Sequence, residues 1–299
     1  MARRGGELYN LGIMTKLESA ERRVRLMREV RFSIDRDWVR GAHGDSGFEG
    51  ALPVTNSWGG WPSAVGVAPY LVLQIVVSGR ADPVTGYLVN IQVLDALLRR
   101  HAIPAAAQGL FASGVRLTGE QLLRRIYGPV AEQAPRVAEA TRLESLAMWV
   151  TPFLHYTIFA GDDAMVELTQ CFEFSASHRL HVAALSDEEN RRVFGKCNNP
   201  NGHGHNYQVE ISVGGKIDEK SGAVMALPEL ESLVKREVID RFDHKHLNTD
   251  TPEFGSRNPS VENIAAVVWE ILEPKLAPGK LRRVRVWETA KTFAEYVGL

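Results

Sequence analysis

Two stretches of the chain carry the same hydrophobic pattern. LVLQIVVSGRADPVTGYLVNIQVLDALLRR (Leu71 to Arg100) aligns without a gap on YQVEISVGGKIDEKSGAVMALPELESLVKR (Tyr207 to Arg236). Each opens on an apolar run with the period of two that buries one face of a β-strand. Each continues through a turn with Asp and then Gly (Asp82 and Gly86; Asp218 and Gly222), which predicts a tight reversal into a second short strand. Each ends on apolar residues three and four apart, the pattern of an amphipathic helix.

Further blocks follow in the same order on both sides of the chain. RFSID (31–35) takes the place of EFSAS (173–177), and AMWVT (147–151) that of RVWET (285–289) as a closing strand. LTGEQLL (117–123) corresponds to PSVENIA (259–265), a helix start with Thr118 or Ser260 as cap and Glu120 or Glu262 in the first turn. The pattern predicts an α+β protein of two β-β-α-α-β units, 1–160 and 165–299, joined near FAGDDA (159–164).

Composition narrows the classes of function. With 44% hydrophobic and 24% charged residues, 299 positions suffice for real cores. A net charge of −1 argues against nucleic acid as a partner. The two cysteines make no disulfide framework, which fits a reducing compartment. The basic start MARRGGELYNLG has no apolar core of a signal peptide behind it, and no apolar run approaches the ~20 residues of a membrane span. A cytoplasmic protein with no membrane partner is the expectation.

The chemistry concentrates in the second half. His203 and His205 enter a strand two residues apart and so present both imidazoles to one face. His178 ends the preceding strand, CFEFSASH, and reaches the same place if the two strands pair. Three neutral imidazoles would leave Zn²⁺ its full charge and open positions, which suits polarising a substrate hydroxyl or carbonyl. The other reading of His-x-His is two exposed polar residues, and His181 competes with His178 from a more irregular segment. Cys197 sits in a turn six residues before His203. Near a dication its thiolate would be favoured as base or nucleophile, with a fourth ligand as the alternative. Asp243-His244 is a carboxylate-oriented imidazole or a polar helix exit. Glu288 interrupts an apolar strand, RVRVWETA, either exposed or gripping a ligand with an amidine-like N–H pair.

In series, FSASHRL, CNNPNGHGHNY, FDHKHLN, SVENIA and VWETAKTFAEY resemble the 6-pyruvoyltetrahydropterin synthase family over residues 166–299. The resemblance implies the tunnelling fold, in which antiparallel sheets of several units close into an oligomeric β-barrel with helices outside. It implies a carbon–oxygen lyase acting on phosphates, with Zn²⁺ on His178, His203 and His205. Cys197 would be the proton acceptor and Asp243 with His244 the acid/base relay, contributed by a neighbouring unit. Glu288 would anchor the pterin through its 2-amino and N3–H groups, with Glu262 in a supporting role. The implied reaction converts 7,8-dihydroneopterin triphosphate to 6-pyruvoyltetrahydropterin with release of triphosphate, as in tetrahydrobiopterin synthesis. Lys196, Lys245 and Lys291 are the nearby basic candidates for the triphosphate.

Five residues separate Cys197 from His203. The related 6-carboxytetrahydropterin synthase of queuosine-precursor synthesis has a shorter gap, so the pyruvoyl branch is expected and the carboxy product is the alternative. A non-catalytic pterin-binding scaffold is the second alternative. The first half lacks the site: Val67 and Pro69 stand opposite His203 and His205, Val150 opposite Glu288, and Arg36 near His178. It is expected to complete the barrel of a homo-oligomer, a trimer of tandem chains or a similar arrangement.

Overall fold

The computed structural model describes residues 23–34, 60–61, 66–112, 114, 116–137, 141–277 and 280–298. Arg36 and most of the Gly/Trp-rich segment before Pro69 lie outside them. Contacts divide the chain into two units, one of 1–116, 122–148 and 159–161 and the other of 117–121, 149–158 and 162–299.

In the first unit, β1 (Arg23–Ser33) and β2 (Tyr70–Arg80) form an antiparallel pair with Arg23 opposite Arg80 and Ser33 opposite Tyr70. β3 (Thr141–Thr151) follows β2 in the strand order. After β2 the chain reverses through a loop in which the Asp82 carboxylate accepts from the backbone N–H of Val84 and Thr85. Gly86 closes the loop at φ +73°. Helix α1 (Ile91–Leu97) starts on Asn90, whose side chain accepts from the Gln92 N–H, and widens into a π turn, Leu98–Ala102. The helical path continues through Ile103–Ala107 and a second π turn, Gln108–Ala112, before helix α2 (Gly119–Val137). The core of the unit is Val30, Phe32, Leu73 and Ile75 from the strands with Leu94, Leu98, Ile126 and Val130 from the helices, all buried.

In the second unit, β4 (Leu154–Phe159) pairs antiparallel with β5 (Met165–His178). β5 pairs antiparallel along its whole length with β6 (His203–Lys216). A two-residue β7 (Lys245–His246) lies parallel against the end of β5, with Ser177 opposite His246. β8 (Leu281–Thr289) joins β6, and β9 (Thr292–Tyr296) joins β8. The connection between β5 and β6 holds α3 (Asp187–Phe194), which opens on a complete capping box between Ser186 and Glu189. Helices α4 (Leu227–Val234) and α5 (Val261–Leu272) follow β6, and α5 packs on β8 and β9. Tyr207, Val209, Ile211, Val213, Val284 and Val286 form the buried strand face, with Leu230, Val234, Ile264 and Val268 from the helices. The chain is therefore an antiparallel-sheet protein with helices, as the pattern predicts.

The loops and helix starts that follow β2 and β6 share several local features. The Asp218 carboxylate accepts from Lys220 and Ser221 N–H as Asp82 does from Val84 and Thr85. Gly222 sits at φ +72°, beside +73° for Gly86, where a residue with a Cβ is strained. A π turn, Lys235–Ile239, follows α4 as Leu98–Ala102 follows α1. Thr118 caps α2 by accepting from Gln121 N–H, as Ser260 caps α5 by accepting from Asn263 N–H. One expectation fails in both units. No second strand follows either loop, because Asp82 N–H to Tyr87 O and Asp218 N–H to Ala223 O close the loops. The few residues left before Asn90 and Ala226 then run directly into the helices. No helix among the described residues is long and apolar enough to cross a membrane.

Candidate active site

The site is built at the end of the β5–β6 pair where residues 179–202 connect the two strands. The register sets His178 directly opposite His203 and Ala176 opposite His205, so the period of two brings all three imidazoles to one face. The Nε2 atoms of His178 and His203 are 3.1 Å apart, and one ligand atom from each of His178, His203 and His205 lies within 4.8 Å of the others.

The environment fixes His178 for a ligand's role. It is fully buried, and its Nδ1–H donates to the Pro259 carbonyl at 2.6 Å. That bond leaves Nε2 with its lone pair free and aimed at the other two rings. Burial pushes the His178 pKa down to about 4, so the ring is neutral at ordinary pH. The Nε2 of His205 is buried without a hydrogen-bond partner among the described residues. A buried polar atom without a partner costs free energy unless a ligand meets it. Three convergent ring nitrogens, one of them without a partner among the described residues, fit a Zn²⁺ ion.

Glu288, near the end of β8, sends Oε1 to 3.5 Å from His178 Nε2 and 3.6 Å from His205 Nε2. Cys197 lies in a single 3₁₀ turn, Gly195–Asn198, held where Leu180 N–H donates to its carbonyl. Burial, and then the Glu288 charge, push its thiol pKa up. A cation at the triad would act in the opposite sense. Gly202, at φ +70°, turns the chain from this segment into His203.

Asp243 and His244 form the expected pair, with His244 Nδ1 2.8 Å from Asp243 Oδ2. Asp243 also accepts from Ser175 N–H at 2.8 Å, and that bond, then His244, hold its carboxyl below the usual range. His244 donates its own N–H to Ser175 O and sits at φ +57°, a left-handed conformation rare for a residue with a Cβ. Its ring is 82% exposed, and among the described residues no hydrogen bond joins it to Cys197. His244 nevertheless lines an open depression of about 860 Å³ together with Ser177, His205, Asn206, His246 and Glu288. Glu262 is in the first turn of α5, exposed, and is not among the residues lining that depression. His181 is turned away from the triad, with Nδ1 facing Arg179 Nη2 and Asn198 Nδ2 at 3.3 and 3.2 Å.

Sequence reasoning missed several neighbours. Tyr207 continues the same face of β6 after His203 and His205, buried, its hydroxyl without a hydrogen-bond partner among the described residues and its pKa raised by burial and then Glu288. Extending the two-residue period by one step would have found it. His246 is brought in only by the β7–β5 pairing. Arg179, Arg191 and Lys196 line a second cavity of about 690 Å³ with Asn198, Asn199 and His203, where Asp187 is the one acidic residue. Lys196 was on the sequence list of cations, whereas the two arginines come from segments that only the fold brings together.

An antiparallel sheet with helices, carrying three imidazoles that could hold a metal ion beside a carboxylate and a thiol, has the make-up of an α+β metalloenzyme. The profile of the 6-pyruvoyl tetrahydropterin synthase family matches residues 167–298. The human 6-pyruvoyl tetrahydrobiopterin synthase is 43% identical over 138 residues, which is 46% of this chain and 95% of that protein. The Drosophila melanogaster protein of the same name is 44% identical over 132 residues, covering 44% of this chain and 79% of its own. The solved 6-pyruvoyl tetrahydropterin synthase of Caenorhabditis elegans is 39% identical, covers 45% of this chain and 96% of its own, and superposes with a TM-score of 0.44. The chain belongs to the 6-pyruvoyl tetrahydropterin synthase family.

Proposed function

We propose that the chain is a Zn²⁺-dependent lyase that converts 7,8-dihydroneopterin triphosphate into 6-pyruvoyltetrahydropterin and triphosphate. The observation that carries this reading is the convergence of His178, His203 and His205 next to the Glu288 carboxylate. His178, His203 and His205 would hold the ion, which supplies Lewis acidity toward the hydroxyls of the substrate side chain.

The chain's own residues divide the remaining work. Glu288 presents two carboxylate oxygens to the paired N–H donors of the pterin ring and sets its orientation. Cys197, as thiolate, takes a proton from the side-chain carbon. Asp243 holds His244 Nδ1, which leaves Nε2 of that imidazole free to pass a proton. Arg179, Arg191 and Lys196, in the cavity that shares His203 with the triad, suit the triphosphate. Glu262, at the start of α5, takes the supporting role, from outside the depression that one chain lines.

The same reading takes 1–160 and 165–299 as two tunnelling-fold units, the first without the site residues. The chain acts as a cytoplasmic homo-oligomer whose sheets close into a barrel. The exposed ring of His244, unbonded to Cys197, supports a pocket completed between copies. The relatives' names favour the pyruvoyl product over the carboxy alternative.

Product analysis tests the proposal. The zinc-loaded protein is incubated with 7,8-dihydroneopterin triphosphate beside Cys197→Ala, and products are identified by mass spectrometry. A pyruvoyl tetrahydropterin with triphosphate, lost in the variant, is the expected result. A carboxy tetrahydropterin would move the protein to the queuosine branch. Bound zinc without turnover would leave a pterin-binding scaffold.

A further inference from the structure

An imidazole that gives the lone pair of one ring nitrogen to a metal carries its hydrogen on the other, and that outer N–H needs an acceptor. The chain supplies one to His178, whose Nδ1–H donates to Pro259 O at 2.6 Å. It supplies none to His203. The Nε2 of His203 faces His178 Nε2 at 3.1 Å, and its Nδ1 is buried without a hydrogen-bond partner among the described residues. Because His178 spends its own hydrogen on Pro259 O, the hydrogen of the 3.1 Å contact belongs to His203 Nε2. When Nε2 gives its lone pair to a metal it gives up that hydrogen, and the ring carries its hydrogen at Nδ1. A buried donor is then left unpaired, a state that costs free energy until an acceptor arrives.

The space beside His203 says what kind of acceptor fits. His203 lines the cavity of about 690 Å³ that Arg179, Arg191 and Lys196 also line. Arg179 brings a second buried N–H, at Nε, without a partner among the described residues. Asp187, the one acidic residue on the cavity wall, stands exposed on the first turn of α3 and makes no bond to either donor. Two unpaired N–H donors and three cationic side chains around one cavity call for an anion with several oxygens.

We propose that a triphosphate oxygen accepts from His203 Nδ1–H, so that the phosphate chain supplies the acceptor that the fold gives His178 and withholds from His203. The inference rests on the reading above, in which the triad holds zinc and this cavity takes the triphosphate. His203 then joins the two sites, with Nε2 toward the metal and Nδ1 toward the anion. An anionic acceptor at Nδ1 makes Nε2 the better ligand, and a metal at Nε2 makes Nδ1–H the stronger donor. Zinc-loaded protein therefore holds triphosphate more tightly, and triphosphate-bound protein holds zinc more tightly, by one and the same factor. Hydrogen-bond partners of metal-bound histidines are worth about 10–100-fold in metal affinity, which sets the size of the coupling. Departure of triphosphate leaves the His203 donor unpaired again and the metal less firmly held.

Zinc release and a distance measurement test the coupling on the full chain, with inorganic triphosphate as the probe. Elemental analysis and calorimetry first establish that the protein takes up zinc and that the zinc-loaded form binds the probe. Transfer of zinc to a colorimetric chelator is then timed with and without saturating triphosphate, for wild type and for Arg191→Ala/Lys196→Ala. Release about 10–100-fold slower with triphosphate in wild type, and no change in the double variant, is expected. The bond itself is read by solid-state dipolar dephasing between isotope-labelled histidine nitrogens and phosphorus. It is read in His181→Ala, which removes the imidazole beside Arg179 and Asn198. One ring nitrogen within about 4 Å of phosphorus, the reach of a hydrogen bond and a P–O bond, is expected. Triphosphate that binds but leaves zinc release unchanged, or hastens it, overturns the coupling and leaves the phosphate cavity standing. Slower release without the nitrogen–phosphorus contact overturns the hydrogen bond and leaves only attraction between opposite charges. Zinc-loaded protein that binds no triphosphate overturns the inference together with the assignment of the cavity, and a protein that takes up no zinc overturns it together with the metal site.

Discussion

Replacing Gly202 by alanine is the sharpest probe of how the site is held. At φ +70° a Cβ at this position would stand 2.8 Å from His246 Nε2, 3.0 Å from His178 O and 3.4 Å from His178 C. The left-handed backbone costs an alanine about 1–2 kcal/mol. Moving the His246 ring off its rotamer adds about 0.5–1.5 kcal/mol. Restricting the unfolded chain returns only ~0.4–1 kcal/mol. The net is a destabilisation of about 0.5–3 kcal/mol. The strain falls on the turn that delivers His203, so zinc affinity should weaken as well. Gly204, between the two histidines, is the control. Its Cβ would meet only Ala176 O, at an ordinary 3.6 Å. Gly204→Ala should leave zinc in place and raise strand stability by up to about 0.5–1 kcal/mol. Because Gly204 lines the depression, its effect should fall on KM. The assay is urea unfolding with and without zinc, together with zinc content after gel filtration. A Gly202→Ala protein with wild-type unfolding and full zinc would refute the reasoning, as would Gly204→Ala being the more damaging change.

Other expectations follow from the same geometry. His178→Ala should weaken zinc binding by more than about 100-fold, beyond the 10–100-fold of outer-shell changes, while His181→Ala retains the metal; elemental analysis of dialysed protein separates the two. Glu288→Ala should keep zinc and lose pterin affinity in a binding titration, and loss of zinc would mean that the carboxylate serves the metal instead. Arg191→Ala with Lys196→Ala should weaken inhibition by inorganic triphosphate and flatten its salt dependence, with zinc content unchanged. Equal inhibition of wild type and variant would move the triphosphate elsewhere.

The histidine cluster was legible because its determinants are local. The two-residue period orients His203 and His205, and the hairpin register then delivers His178 opposite His203. Its tuning was not legible. The Pro259 carbonyl that selects the His178 tautomer arrives from the start of α5, far along the chain. Asp243-His244 was visible as a pair, but the left-handed turn at His244 and the bond to Ser175 come from packing against β5. The second strand expected after each Asp-Gly loop was misread because loop closure by backbone bonds leaves too few residues to pair.

The two-unit reading proposed above accounts for a fold that outlasts its site. Gly86 and Gly222 share one conformation, Asp82 and Asp218 one set of bonds, and the π turns after α1 and α4 recur. These features are set by apolar periodicity and a few turn residues, each replaceable at a cost of ~1 kcal/mol. The site depends on single atoms. Val67 and Pro69 in place of His203 and His205 remove two ligand nitrogens while leaving β2 able to pair with β1 along its full length. On that reading the first unit keeps its strand pairing and its buried core, which no single side chain decides, although it carries none of the proposed catalytic set.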